Sequence, residues 1–155
     1  MFPQDLCKVW QLPSPENFAL QWDDQRPLFD HRYLHYVTER NRNEIKDGVL
    51  LRLTASSTKM ASDLAQLLKT SPDPREVLQR LSRISSDNTF ATEFIRAGGL
   101  QQLIAMVEAG PLQPEAQAAL LAAFVELMDH GHVSWDVLEE PFVQQIATNV
   151  SSMCQ

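Results

Sequence analysis

Asp129, His130 and His132 come nearest in this sequence to a metal-binding set, because carboxylate oxygen and imidazole nitrogen are ordinary zinc ligands. No second cluster at fixed spacing joins them. A histidine in the last turn of a helix also interacts favourably with the helix dipole without any metal, so a structural role is expected for all three. His31 and His35 stand four apart, which on a helix would set one facing the other. They fall in loop-to-strand sequence, where that spacing loses its meaning. The carboxylates Asp23-Asp24 and Glu139-Glu140 are adjacent in sequence and are read as solvated rather than as a catalytic pair. There is no glycine-rich phosphate loop, no G-x-S-x-G and no H-E-x-x-H. The expectation is therefore no enzyme, no catalytic residues, no cofactor and no metal. Cys7 and Cys154, near opposite ends, frame neither a disulfide network nor a zinc knuckle, which fits a reducing compartment.

The elements that position these residues divide the chain in two. Residues Pro3 to Leu12 are predicted to form a short helix, with Leu6, Val9 and Trp10 on one face. Pro13-Ser14-Pro15 ends it. Phe18, Leu20 and Trp22 alternate with Ala19 and Gln21, which is strand periodicity, and a second strand is expected over Tyr33 to Thr38. Glu39 to Lys46 is polar and is read as one short helical turn before the Asp47-Gly48 turn signal. Val49 to Leu53 is nearly all apolar, which predicts a strand buried on both faces.

After a linker, 55–58, the period changes from two to about 3.6 and stays helical to the end. Met60, Leu64, Leu67 and Leu68 mark one helix; Asp73-Pro74-Arg75-Glu76 reads as a capping box opening a second, which buries Val77, Leu78, Leu81 and Ile84. Phe90, Phe94 and Ile95 mark a third, ended by Gly98-Gly99. Leu100, Leu103, Ile104 and Val107 mark a fourth, ended by Gly110. Ala118 to Leu138 then holds a helix that reads as apolar nearly all round and buried on several sides, with Pro114 at its first turn and Gly131 closing it. Ser134 is placed to cap a following helix carrying Trp135 and Leu138. A final helix runs through Phe142, Ile146 and Val150. Short helices joined by tight glycine turns suggest stacked hairpins, and EFIRAGGLQQLIAMVEAG resembles an armadillo repeat.

The 155 residues suffice for one ordinary domain or two small ones, and 44% hydrophobic with 21% charged residues is globular composition. The net charge of −7 argues against nucleic acid, which needs clustered Lys and Arg; a partner surface of basic character is the better complement. MFPQDLCKVW carries no apolar signal region, and no apolar run is long enough to insert in a membrane. The expected location is cytoplasmic.

Two segments resemble the engulfment and cell motility (ELMO) family of scaffold proteins: FVELMDHGHVSWDVL, Phe124 to Leu138, and VTERNRNEIKDGVLLRL, Val37 to Leu53. FATEFIRAGGL, and KVWQL followed by NFALQ, match in the same order. The resemblance implies an N-terminal ubiquitin-like Ras-binding module that engages Rho-class small GTPases such as RhoG, followed by an armadillo-type solenoid. In that family later regions bind DOCK-type exchange factors that activate Rac in phagocytosis and migration. None of those regions lies in these 155 residues, so a DOCK partner is implied only for a longer parent chain.

Departures from the family pattern shape the expectation. The chain starts at what would be the helix of the ubiquitin-like fold, so the first β-hairpin is missing. The segment Trp22 to His35 is longer, and His132 stands where the family has an aliphatic residue. The fold class expected is α+β, mostly α: a partial ubiquitin-like module over 1–54, then an armadillo-like stack over 59–155. Leu50 to Leu53 would lack its main partner strand, an invitation to aggregation, and the N-terminal half would be the less stable one. Two readings stay open, truncation, which is favoured, or replacement of the lost pairing by Pro27 to His31. Within the module the residues expected to touch a partner are Leu12, Trp10, Arg40 and Arg42. Trp10 is expected mainly to pack beneath the sheet and Leu12 to be the exposed contact. Recruitment to the plasma membrane would then come from the GTPase. The alternative is a short regulatory form that self-associates or competes through its solenoid without binding a GTPase.

Overall fold

The period of the apolar residues changes after the second strand, and the architecture changes with it. The computed structural model describes residues 3–23 and 36–153. Helix α1 (Pro3–Val9) packs against strand β1 (Phe18–Trp22), which pairs antiparallel with β2 (Leu51–Ala55) from Phe18↔Ala55 to Trp22↔Leu51. The ladder continues past both ends of β2, through Asp23 N–H to the Leu50 carbonyl (3.0 Å) and Ser56 N–H to that of Asn17 (2.8 Å). On the other edge of β1, Tyr36 bridges Gln21 and the Val37 N–H reaches the Leu20 carbonyl (2.8 Å). Cys7 and Leu20 are the buried apolar side chains of this unit among the described residues.

Several expectations are corrected here. The strand predicted over Val49 to Leu53 begins at Leu51 and ends at Ala55; Leu50 is 67% exposed and Val49 is exposed too. Leu51 and Leu53 are half-buried rather than buried on both faces; a doubly covered strand needs a layer on each side, and among the described residues α1 is the helix that packs on the sheet. β2 does have a partner strand, β1. The strand expected over Tyr33 to Thr38 appears in its described part only as the single bridge at Tyr36, while Tyr33 to His35, like Asp24, the segment Pro27 to His31 and Cys154, lies outside the described residues. The short turn of helix expected between Glu39 and Lys46 is a 3-10 turn at Arg42–Glu44. In α1 the buried residue is Cys7, with Val9 and Trp10 exposed.

No free stretch separates sheet from helices: β2 ends at Ala55, and Ser56 caps α2 (Ser57–Thr70), its hydroxyl accepting from Lys59 N–H (3.3 Å). Its buried stripe is Met60, Ala61, Leu64, Ala65 and Leu68, whereas Leu67 is exposed. Helix α3 (Arg75–Ile84) buries Leu78, Leu81 and Ile84. The expected capping box is simpler than predicted: Pro74 occupies the cap position, and Asp73 Oδ1 accepts from Arg75 N–H (3.0 Å). Asp87 caps α4 (Asn88–Arg96) by accepting from Phe90 N–H (2.9 Å). Phe90 and Phe94 stack 5.6 Å apart beneath it.

Helix α5 (Gly99–Glu108) follows Gly98, whose φ of 81° is one that residues with a side chain rarely adopt. Gly99 is required for a different reason: a Cβ there would sit 2.3 Å from the Phe94 ring. Helix α6 (Pro114–Asp129) buries Leu120, Leu121, Phe124, Leu127 and Met128 but leaves a stripe at Ala118, Ala122 and Val125, the last 52% exposed. It is therefore not apolar-buried all round. Ser134 caps a 3-10 turn, Trp135–Val137, rather than a full helix, and α7 (Glu140–Met153) follows. Helix α3 packs on α6, α2 on α4 and α5, and α5 on α7. Phe142 of α7 meets Phe124 edge-on at 5.5 Å, and Gln145 Nε2 donates to the Val107 carbonyl (2.7 Å). One continuous apolar core runs from Met60 to Phe142. No helix among the described residues is long and apolar enough to cross a membrane.

Candidate partner-binding surface

The way α1 ends decides which of its side chains faces solvent. Gln11 adopts φ 53°, in the left-handed region. Its N–H reaches the Lys8 carbonyl (3.2 Å), and the Leu12 N–H reaches that of Cys7 (2.8 Å). These paired bonds are those of a Schellman closure, in which the residue after the left-handed one commonly folds back toward the last full turn. Leu12 is accordingly half-buried and Trp10 is 57% exposed. This reverses the expected arrangement, in which Trp10 packs beneath the sheet and Leu12 is open.

Arg40 and Arg42 are exposed on the turn that follows the Tyr36 bridge. Arg42 Nη1 pairs with Glu39 Oε2 at 3.0 Å. The turn is closed by one amide: Asn41 Oδ1 accepts from Thr38 N–H (2.7 Å) and its Nδ2 donates to the Tyr36 carbonyl (3.0 Å). Trp10 and Leu12 thus sit at the end of a helix packed on β1, and Arg40 and Arg42 on a turn hung from the edge of β1. One strand carries both pairs. Arg52 of β2 pairs with Asp23, which directly follows β1.

Tyr36 is also tied to the end of β2, next to the helical stack. Its hydroxyl donates to the Ala55 carbonyl (2.9 Å). Burial pushes the phenol above its usual range, the Ser57 hydroxyl opposes that shift, and the Asp87 carboxylate adds to it. Ser57 starts α2 and Asp87 caps α4.

The histidines serve as ties between helices. His130 Nε2 donates to the Ser85 carbonyl (2.8 Å), at the turn between α3 and α4. His132 Nε2 lies 2.7 Å from Asn88 Oδ1 and 3.0 Å from Thr92 Oγ1. The Thr92 hydrogen is engaged by the Asn88 carbonyl (2.9 Å), so the ring is the donor to both. No group of three His, Cys, Asp or Glu side chains among the described residues is arranged to hold a metal ion. Glu139 and Glu140 are exposed at the start of α7.

Sequence reasoning missed Tyr36, and it read Asn41, with Arg40, Arg42 and Asn43, as a polar rim or solubility residue rather than as the closer of the turn. The signal for Asn41 was present, since asparagine is a common closer of turns through its side chain. Nothing local marks Tyr36, whose hydroxyl partner lies 19 residues away.

Comparison with known proteins agrees with this division. Residues 1–56 match the family model for the ELMO protein N-terminal Ras-binding domain, and residues 89–155 match that for the ELMO armadillo-like helical domain. The chain is 40% identical over 154 residues to mouse engulfment and cell motility protein 2, covering 96% of this chain and 20% of that protein. It is 40% identical over 162 aligned positions to human engulfment and cell motility protein 1 (96% and 21%) and 42% identical over 150 to mouse protein 3 (96% and 20%). The chain spans about a fifth of the length of the curated relatives it matches.

Proposed function

Since the chain belongs to the engulfment and cell motility (ELMO) family, we propose that it is a non-enzymatic adaptor whose N-terminal unit binds a GTP-loaded Rho-class small GTPase, with RhoG as the representative. The observation that carries this is the match of residues 1–56 to the family's Ras-binding domain. Exposure of Trp10, Arg40 and Arg42 around β1 supports it. Tryptophan and arginine dominate the binding energy of many protein interfaces. Leu12, half-buried, contributes at the rim. The net negative charge does not oppose this, since every lysine and arginine lies at or before Arg96, and Glu108, Glu115, Glu126, Asp129, Asp136, Glu139 and Glu140 all follow it. Recruitment to the plasma membrane would come from the bound GTPase, and coupling to a DOCK-type exchange factor belongs to a parent chain that carries the later family regions.

The test is a pull-down of the purified chain with RhoG loaded with a non-hydrolysable GTP analogue or with GDP, repeated with Trp10→Ala and Leu12→Asp. Selective capture of the GTP form, abolished by Trp10→Ala, is expected. Equal capture of both forms would refute effector-type binding.

A second reading places function in the helical stack alone, through self-association or competition with longer relatives. It is favoured by exposed Val125, Val143 and Trp135, the last 51% exposed against Phe124. Light scattering over a concentration series separates the two: a strict monomer counts against this reading.

A further inference from the structure

Arg40 and Arg42 can present themselves to a partner only as well as the turn beneath them is held, and that turn depends on one side chain. The amide of Asn41 makes both of its bonds within the turn, one as acceptor from Thr38 N–H and one as donor to the Tyr36 carbonyl. Tyr36 is in turn fastened to the sheet by its bridge to Gln21 and by its hydroxyl bond to Ala55. From this base the Arg42 N–H reaches the Thr38 carbonyl (3.0 Å), the Glu44 N–H reaches that of Asn41 (3.0 Å), and Glu39 holds the Arg42 guanidinium.

We propose that Asn41 is the positioning residue of the partner-binding surface, fixing the backbone of the turn from which Arg40 and Arg42 meet carboxylates on the partner. The assignment rests on the GTPase-binding reading above. Guanidinium groups recognise carboxylates through a planar fork that must be oriented to be effective, and a backbone ordered before binding does not lose that freedom on binding. Only a primary amide of this length both accepts and donates here. Asn41→Asp keeps the acceptor and loses the donor; Asn41→Ala loses both.

The test measures the affinity of the full chain for RhoG loaded with a non-hydrolysable GTP analogue, in the variants Asn41→Ala, Asn41→Asp, the double variant Arg40→Ala/Arg42→Ala, and the triple variant. Asn41→Ala is expected to weaken binding about tenfold, the effect of having to order the loosened backbone of the turn on association. Asn41→Asp should weaken it as well, and the triple variant should bind no more weakly than the arginine double variant. That non-additivity is what a general loss of stability would not produce. If the arginine double variant binds like the parent, the GTPase surface itself is misassigned and the inference falls with it. If the arginine variant loses binding but both Asn41 variants retain it, only the positioning role is overturned. Additive losses in the triple variant overturn it too.

Discussion

Gln11 determines which side chain of the first helix reaches solvent, and it does so in a backbone region where an L-residue is strained by roughly 1–2 kcal/mol. Glycine relieves that strain at an entropic cost of about 0.5–1 kcal/mol. Gln11→Gly is therefore expected to stabilise the chain by about 0.5 kcal/mol, seen as a raised urea midpoint, with Trp10, read in a Trp22→Phe/Trp135→Phe background, still fluorescing as an exposed indole. A blue shift would mean that the closure does not set the position of Trp10. His130 makes the opposite kind of contribution, as the ring that satisfies the carbonyl of fully buried Ser85. Removing a partner from a buried acceptor costs about 1–3 kcal/mol, so His130→Ala should lower the melting temperature. Chelators should leave the parent chain's melting temperature unchanged, because the ring binds a carbonyl rather than a metal; a drop on chelation would reopen the metal reading of Asp129, His130 and His132.

Among the elements, β2 is the sharpest case. Its bonds to β1 fall on alternate residues, with Leu50 and Ser56 fixing the phase, so the amides of Arg52 and Thr54 point to β1 while those of Leu51 and Leu53 point away. Native-state hydrogen exchange should protect Arg52 and Thr54 and leave Leu51 and Leu53 fast. The reverse pattern would require a register shifted by one residue. Even the protected strand amides should exchange faster than those of Leu120 and Phe124 in α6. That helix lies in the continuous core, whereas the sheet unit has only Cys7 and Leu20 buried among its described apolar side chains.

At the scale of the whole molecule, Tyr36 is half-buried in the sheet unit, its hydroxyl held by the Ala55 carbonyl just before Ser56 caps the first helix of the stack. Its phenol is raised above the ordinary value of 10.0 chiefly by burial. An unfolded tyrosine then ionises first as pH rises, so the contribution of Tyr36 is complete below about pH 10 and is lost as pH climbs through the higher folded value. Stability should fall with rising pH above about pH 10, and less steeply in Tyr36→Phe. An unchanged slope in that variant would show that Tyr36 does not carry the alkaline transition.

The helices, their order and the family were legible in the residues alone, because periodicity, caps and glycine closures are local. Pro114 at its helix start, and Gly98 and Gly131 past their helix ends, each act within a few residues. The two long segments, Phe124 to Leu138 and Val37 to Leu53, carried the resemblance to the ELMO family. The long-range contacts required the tertiary structure. Whether Trp10 or Leu12 is buried turned on a backbone closure at Gln11 that no side-chain pattern announces. Where β2 begins depended on pairing with a strand about thirty residues earlier, so the apolar run from Val49 pointed two residues too early. The uses of His130 and Tyr36 depended on partners 45 and 19 residues away. A hydrogen bond between distant groups is created by the packing of whole elements, and only the assembled core brings its two ends together.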